Sequence, residues 1–131
     1  MKMPAATLKS DTAGAPPLRT VRVSVVEDDN VVREQLAHQL SRAYGFACVS
    51  SHRSAEAALE EIPRQRPDVV LMDINLPKMS GIDCVRQLKG LLPNTQYVML
   101  TVYEDADLIF KSLLAGAVGL LLYAWRRRRA T

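Results

Sequence analysis

Two short apolar runs in this chain are each followed directly by acidic residues, and that pattern strongly constrains the fold. Residues 69–72 read Val-Val-Leu-Met and lead into Asp73, whereas residues 21–26 lead into Glu27 and Asp28. Apolar runs of this length are typical of buried strands. Ligands of open α/β sheets bind at the carboxyl edge of the strands, so the acids are predicted to share one pocket there. The chemistry that such a pocket suggests is Mg²⁺ binding and phosphoryl transfer onto Asp73.

Apolar segments alternate with amphipathic ones along the middle of the chain. Strands are predicted at residues 21–26, 46–50, 69–72, 97–100 and 118–123, and helices at 31–43, 54–62, from 80 onward, and 105–114. Asp29 or Asn30 is the predicted cap of the first helix, and Pro63 is predicted to lie in the loop after the second. The alternation predicts an α/β fold in which helices cover both faces of a parallel sheet.

The bulk composition fits one globular domain. The chain has 131 residues, of which 48% are hydrophobic and 24% are charged, and this suits a single core. The two cysteines, Cys48 and Cys84, lack metal-ligand spacing and are expected to be reduced and buried. The N-terminus lacks the apolar core of a signal peptide, and no apolar run is long enough to span a bilayer, so we expect a cytoplasmic protein.

The two ends of the chain differ in composition from the middle. Residues 1–20 are rich in Ala, Thr, Pro and Gly without apolar periodicity, and they are predicted to be a disordered leader. The domain is expected at residues 21–125, followed by a basic tail at residues 126–131. Four residues of the tail are arginines, and without them the net charge of +3 becomes −1. The tail therefore does not indicate a basic binding face on the domain.

Four segments together carry a resemblance to a known family. They are residues 25–29 with Arg33, residues 71–81, residues 99–101 and residues 115–119. In this order and spacing they resemble the CheY-like receiver domain of two-component response regulators. Residues 101–105 most resemble those of LuxR-type regulators. The resemblance implies a flavodoxin-like, doubly wound, five-stranded parallel sheet of order 2-1-3-4-5. It also implies a phosphoacceptor rather than an enzyme, with a sensor histidine kinase as its partner.

The resemblance assigns roles to five residues at the expected sheet edge. Asp73 would be the nucleophile that becomes an aspartyl phosphate. Asp28 and Asp73 would bind Mg²⁺ directly, with Glu27 acting through water and Asn75 through its backbone carbonyl. The hydroxyl of Thr101 would donate a hydrogen bond to a phosphoryl oxygen.

Plainer explanations exist for the same residues. Asp73 alone could be a strand-end acid that caps a loop, and Thr101 could be an ordinary β-branched strand residue. Glu27, Asp28 and Asp29 could form a solvated helix start that the helix dipole favours. The combination of Asp73 with Glu27 and Asp28 favours the phosphoacceptor, and Asp29 is assigned to helix capping.

The chain departs from the family pattern near its C-terminus. Tyr123 stands where the family has a lysine that pairs with the phosphoryl group, and Leu120 stands where it has a switch aromatic. Residues 125–131 are too few for the family's fifth helix, which is therefore predicted to be missing. Without that helix, one face of the first and fifth strands is expected to be exposed. The chain is then expected to self-associate through this face. Three explanations fit the arginine run. It is a solvated chain end, a segment that binds anions weakly, or the end of a truncated or frameshifted regulator.

Three functions fit these residues. The first is a receiver that accepts a phosphoryl group on Asp73 with Mg²⁺ and then presents a changed surface to a partner. The second is a degenerate or truncated receiver that acts as a phosphate-independent interaction module, which Tyr123, Leu120 and the missing fifth helix favour. The third is a phosphatase of the same α/β plan, which would need an acid where Asn75 stands. The sequence shows no DNA-binding output domain and no transmembrane segment.

Overall fold

The computed structural model describes residues 19–101 and the backbone of residues 119–122; of Thr101, too, only the backbone is described. The predicted helix at residues 105–114, Tyr123, the basic tail and most of the predicted leader lie outside the described residues. The elements follow in the order β1 (Val21–Val26), α1 (Asn30–Arg42), β2 (Phe46–His52), α2 (Ala55–Gln65), β3 (Val69–Asp73), α3 (Gly81–Leu91), β4 (Gln96–Thr101) and β5 (Gly119–Leu122).

The sheet is parallel, and β1 lies near its centre. Strands β2, β1, β3 and β4 are neighbours in that order, which confirms the predicted order for these four strands and the α/β class. Val26 of β1 pairs with His52 of β2 on one side and with Met72 of β3 on the other. The short β5 runs parallel to β4. Because β1 and β3 are adjacent and parallel, the residues that follow their carboxyl ends meet at one edge.

Hydrophobic side chains fill both faces of the sheet. On one face, α2 and α3 cover a cluster that includes Ile62, Val70, Met72, Leu88 and Tyr97. On the other face, α1 covers a smaller cluster of four residues, which are Val32, Leu36, Leu71 and Leu100. Burial of each large apolar side chain contributes roughly 1.5–3 kcal/mol. The two clusters therefore hold the sheet, and with it the strand ends, in a fixed position.

The prediction that apolar side chains of the first strand lose their cover is wrong. Val23 and Val25 point to the face of the sheet opposite Val26, and their exposed fractions are 2% and 0%. Helix α1 packs on the same face, where Val32 and Leu36 meet Leu71, and the low exposure of the two valines shows that the strand is covered. Self-association through an uncovered first strand is therefore no longer expected. The side chains of β5 lie outside the described residues.

Helix α2 runs farther than predicted. It passes through Pro63 and ends at Gln65, instead of stopping before the proline. Pro63 lies in the last turn of α2, where a missing N–H removes only one hydrogen bond. The guanidinium of Arg22 donates to the carbonyl oxygens of Gln65 and Arg66 at 2.8 and 2.7 Å. These bonds from a neighbouring strand satisfy the last carbonyls of α2 and support the extra turn.

Two further expectations can be compared with the structure. Both cysteines are free thiols, as predicted; Cys84 is buried, whereas Cys48 is only partly buried. Within residues 19–101 and the β5 backbone, no helix combines the length and the apolar character that crossing a bilayer requires.

Candidate functional site

Three acidic side chains meet at the carboxyl edge of the sheet. Glu27 and Asp28 follow β1, and Asp73 is the last residue of β3. One carboxylate oxygen from each residue lies within 4.8 Å of the corresponding oxygens of the other two. The exposed fractions of Glu27 and Asp73 are 0% and 1%, while Asp28 is exposed. The structure thus brings together the three carboxylates that the sequence placed at this edge.

Glu27 is held by its backbone and its side chain. Its backbone N–H donates to the carbonyl oxygen of His52 on β2 at 3.0 Å. Its Oε2 atom accepts a hydrogen bond from the backbone N–H of Asp29 at 3.0 Å. Its backbone carbonyl accepts from Nη1 of Arg33 at 2.9 Å. The bond from Asp29 offsets part of the cost of burying the Glu27 carboxylate, and the other two hold the backbone at the strand end.

Asp29 belongs to helix α1 rather than to the acidic cluster. It is the N-cap, and its Oδ1 atom accepts from the backbone N–H groups of Val31 and Val32 at 2.9 and 3.1 Å. A cap of this type satisfies donors that the first turn leaves unpaired. This confirms the predicted capping role and decides between Asp29 and Asn30 as the cap.

Asp73 is positioned by the loop that follows it. Its Oδ1 atom accepts a hydrogen bond from the backbone N–H of Asn75 at 3.0 Å. The next residue, Ile74, donates through its N–H to the carbonyl of Leu100 on β4 at 3.1 Å, and its own carbonyl accepts from the N–H of Gly81 at 3.0 Å. The strand end, β4 and the start of α3 are thereby tied together around the carboxylate.

The loop between β3 and α3 is anchored by buried side chains. Ile74 and Leu76 are 3% and 7% exposed and belong to the larger hydrophobic cluster. The side chain of Asn75 between them is exposed. Lys78 adopts a left-handed backbone conformation with φ of 67°, which is uncommon for a residue other than glycine. The loop therefore has a defined path, although most of its polar side chains face solvent.

The arrangement fits a hard divalent cation. Mg²⁺ prefers oxygen ligands, takes one or two carboxylates directly and keeps several waters. The three carboxylates lie close enough to repel one another, and a divalent charge among them would offset that repulsion. Asp28 would hold the ion together with Asp73, and its exposure leaves room for water and for a phosphoryl group.

The remaining predicted site residues are described less fully. Thr101 is the last residue of β4, and its backbone pairs with Leu122 of β5. Leu120 pairs through its backbone with Met99. The side chains of Thr101 and Leu120 and the whole of Tyr123 lie outside the described residues, so their predicted roles stay predictions.

Two positions at the site were not given a role from the sequence. Arg33 was noted as part of the family pattern, but its contact with the Glu27 carbonyl depends on the path of the chain between β1 and α1. Gly81 was predicted only to open α3. A Cβ atom on Gly81 would overlap the carbonyl group of Asp73, a closeness that only the packed structure reveals.

The sequence model of one family, the response regulator receiver domain, matches residues 23–129. The chain belongs to this family. The match confirms the predicted membership and extends past β5 into the basic tail. It covers all the described elements except the first two residues of β1.

Curated relatives include longer receiver-containing proteins. The chain is 32% identical over 102 residues to the transcriptional regulatory protein LnrK of Bacillus subtilis, covering 78% of this chain and 46% of that protein. It is 35% identical over 103 residues to a protein-glutamate methylesterase/protein-glutamine glutaminase of Syntrophus aciditrophicus, covering 77% of this chain and 29% of that protein. The chain therefore spans less than half the length of these relatives.

Solved receiver structures share the fold. The receiver domain of the response regulator NarL from Mycobacterium tuberculosis matches with a TM-score of 0.74 and 30% identity, covering 79% of this chain and 84% of that one. A LuxR-family response regulator from Aurantimonas matches with a TM-score of 0.73 and 29% identity, covering 77% and 72%. Both agree with the predicted likeness to receivers of LuxR-type regulators.

Proposed function

We propose that this receiver domain accepts a phosphoryl group from a sensor histidine kinase on Asp73 and that the transfer requires Mg²⁺. The observation that carries the proposal is the meeting of Glu27, Asp28 and Asp73 within 4.8 Å at the end of β1 and β3. Asp73 lies at the strand tip, with one carboxylate oxygen oriented by the N–H of Asn75. A carboxylate fixed in this way is a suitable nucleophile for in-line phosphoryl transfer.

The proposed step is an exchange of one bond for another. A carboxylate oxygen of Asp73 forms a bond to phosphorus while the bond from phosphorus to the kinase histidine breaks, and the electron pair returns to the imidazole. A Mg²⁺ ion held by Asp28, Asp73 and the Asn75 carbonyl, with Glu27 through water, would neutralise charge on the transferring group. The residues of this chain therefore orient the nucleophile and supply the ligands, and the product is an aspartyl phosphate.

Residues at the ends of β4 and β5 complete the proposal. The hydroxyl of Thr101 donates to a phosphoryl oxygen after transfer. Tyr123 brings no positive charge to the position where the family has lysine, and Leu120 has no hydroxyl to rearrange. Phosphorylation is therefore expected to change the domain less than in a receiver that has both residues.

The wider assignment follows from the family. The proposal includes the doubly wound plan of five strands, with a helix at residues 105–114 between β4 and β5. It also includes a cytoplasmic location, a histidine kinase as partner and phosphoacceptor activity rather than enzymatic turnover. Several relatives are named as transcriptional regulators, so control of transcription is the output class we propose. Residues 19–101 and the β5 backbone form the α/β fold and include no DNA-binding domain.

A second function is supported by the sequence at the end of β5. Leu120 and Tyr123 replace both residues that would couple phosphate to a surface change. A phosphate-independent interaction module would need neither of the replaced side chains. A phosphatase is disfavoured because Asn75, two residues after Asp73, carries no acid for proton transfer.

The experiment that tests the proposal is incubation of the protein with acetyl phosphate, with and without Mg²⁺, followed by intact mass spectrometry. A receiver gains the mass of one phosphoryl group only when Mg²⁺ is present. Backbone amide NMR spectra of the modified protein then measure the conformational response. Failure to form any adduct, with the fold intact, would favour the interaction module and contradict the proposed function.

A further inference from the structure

Arg33 connects the two ends of the segment that carries the exposed acid of the cluster. Its Nη1 atom donates to the backbone carbonyl of Glu27 at 2.9 Å, and its Nη2 atom donates to Oδ1 of Asn30 at 2.6 Å. Residues 27–30 include Asp28, and they link the end of β1 to the first residue of α1. One guanidinium therefore bridges the segment from its first residue to its last.

We propose that Arg33 is a positioning residue for the metal-binding acids: it fixes the backbone of residues 27–30 so that Asp28 faces Glu27 and Asp73. This inference rests on the proposed function, because it concerns the same acidic cluster. Arg33 itself touches neither the phosphoryl group nor Mg²⁺ in this scheme. It acts through the peptide that joins Glu27 to Asp28.

Asp28 is exposed, and within the described part of the chain no hydrogen bond holds its carboxylate. The direction of this side chain therefore depends on the backbone that carries it. Glu27 and Asp73, in contrast, accept hydrogen bonds through their carboxylates from the N–H groups of Asp29 and Asn75.

The backbone around Asp28 is fixed at three points. The N–H of Glu27 is paired with His52 on β2, and Asp29 is fixed by its capping contacts with α1. The carbonyl of Glu27, which belongs to the peptide between Glu27 and Asp28, is the third point, and it accepts from Arg33. Loss of this bond would allow that peptide to rotate and move the Asp28 carboxylate away from the cluster.

The charge and the geometry of Arg33 act in opposite directions on Mg²⁺ binding, because a positive charge near the acids repels a cation, whereas a fixed backbone keeps Asp28 in place. A guanidinium is ionised at every physiological pH, and its planar fork presents donors at fixed angles. A positive charge beside the segment reduces the mutual repulsion of the three carboxylates in the absence of metal. A lysine would keep the charge but cannot reach two acceptors with a rigid fork. Arg33→Lys therefore separates charge from geometry.

The test measures the Mg²⁺ dissociation constant from the NMR shifts of the Asp28 and Asp73 amides. Wild type, Arg33→Ala and Arg33→Lys are compared at a temperature where circular dichroism shows each to be folded. Arg86→Ala is the matched control, because Arg86 is an exposed arginine on α3 whose contact is with Asp83. Substitution of residues that hydrogen-bond to metal ligands typically weakens metal affinity about 10–100-fold. We expect Arg33→Ala to weaken binding by about tenfold, Arg33→Lys to restore it only in part, and Arg86→Ala to leave it unchanged.

Adduct formation adds a second readout. With acetyl phosphate, the yield in Arg33→Ala should fall at low Mg²⁺ and approach the wild-type yield at saturating Mg²⁺, because the nucleophile is intact. If Arg33→Ala lowers the melting temperature but leaves the Mg²⁺ dissociation constant unchanged, Arg33 has only a structural role and the inference is wrong. Full rescue by Arg33→Lys would also overturn it, because the fork that bridges the Glu27 carbonyl and Asn30 would then not be needed.

A second variant covers the case in which Arg33→Ala does not fold. Asn30→Ala removes the acceptor for Nη2 and leaves the guanidinium in place, so a smaller weakening of Mg²⁺ binding is expected. Asn30→Asp keeps the acceptor and should bind Mg²⁺ at least as tightly as wild type. Unchanged binding in Asn30→Ala would then overturn the inference. Failure of the wild-type chain to bind Mg²⁺ or to form an adduct would instead contradict the proposed function itself.

Discussion

A methyl group on Gly81 would overlap the backbone carbonyl oxygen of Asp73, and its Cβ atom would lie 2.8 Å from the carbonyl carbon. The start of α3 is therefore packed directly against the end of the strand that carries the proposed nucleophile. Both partners in this contact are backbone, so a flexible side chain cannot move aside to make room. Gly81 allows α3 and β3 to approach to this distance.

Gly81→Ala is expected to destabilise the domain and to disturb the position of Asp73. Overpacking in a buried site typically costs about 1–3 kcal/mol, and the free energy of unfolding from urea titration measures it. The yield of the acetyl-phosphate adduct should fall as well, because the displaced group is the backbone of the nucleophile.

Gly90→Ala is the matched control for Gly81→Ala. Gly90 lies in the same helix and is not fully buried, and no neighbouring atom lies within 4 Å of the position that a Cβ atom would take there. Alanine is favoured over glycine in helix interiors by about 1 kcal/mol, so this variant should be equal to wild type or more stable. Equal effects of the two substitutions would mean that helix propensity, and not contact with Asp73, determines the result.

Arg22→Ala should destabilise the last turn of α2. Arg22 donates to the carbonyl oxygens of Gln65 and Arg66, beyond Pro63. Loss of hydrogen bonds from a charged donor costs about 1.5–3 kcal/mol, and amide hydrogen exchange should show faster opening of this turn than of α3. Arg64→Ala, in the same turn of the helix, is the control and should change stability little. Slow exchange in the last turn of Arg22→Ala would show that another contact holds it.

The stability of the domain is expected to fall as the pH rises above about 9, where the Cys84 thiol of the unfolded chain begins to ionise. Burial raises the pKa of Tyr97 from 10.0 to about 12, and burial also raises the pKa of Cys84 from 9.0 to about 12. Between the ordinary and the raised pKa values the unfolded chain has lost these protons while the folded chain keeps them. Raising the pH through this range therefore favours the unfolded state. Urea titrations at pH 8 and pH 11 measure the difference.

Tyr97→Phe should make this pH dependence shallower. It removes one of the two ionisations, together with the hydrogen bond from the Tyr97 hydroxyl to the carbonyl of Leu92, so stability at pH 8 should fall by about 1 kcal/mol. Tyr44→Phe is the control on an exposed tyrosine. An unchanged pH slope in Tyr97→Phe would rule out Tyr97 as a source of the alkaline instability.

Mg²⁺ binding should depend on Asp28 and much less on its neighbour. Asp28→Asn and Asp29→Asn each remove one negative charge from adjacent positions. Asparagine is as good an N-cap as aspartate, so Asp29→Asn keeps helix α1. We expect Asp28→Asn to weaken Mg²⁺ binding strongly and Asp29→Asn only slightly, as measured by NMR titration. Equal weakening would show that net charge, and not coordination by Asp28, controls affinity.

The sequence predicted those parts of the fold that depend on local pattern. The apolar runs before Glu27 and Asp73 identified β1 and β3, and parallel pairing brought their acids together. Asp29 was one of the two residues predicted to cap α1. This was possible because a capping side chain is short and bonds only to N–H groups in the first turn of its own helix. The family resemblance supplied the strand order, which periodicity alone does not contain.

Features that depend on contacts distant in sequence were not predicted. The passage of α2 through Pro63 is supported by Arg22, which lies 41 residues earlier in the sequence. The burial of Val23 and Val25 depends on the packing of the folded chain, which composition near the C-terminus cannot indicate. The contacts of Arg33 and Gly81 with the residues of the site arise only when the loops after β1 and β3 take their folded paths.

The most direct test of the central claim is the mass of the protein after incubation with acetyl phosphate and Mg²⁺, compared among wild type, Asp73→Asn and Asp83→Asn. Asp83 is an exposed acid on α3, so its substitution controls for the loss of one carboxylate near the site. We predict one phosphoryl adduct on wild type and on Asp83→Asn, and none on Asp73→Asn. An adduct of undiminished yield on folded Asp73→Asn would contradict the assignment of Asp73 as the phosphoacceptor.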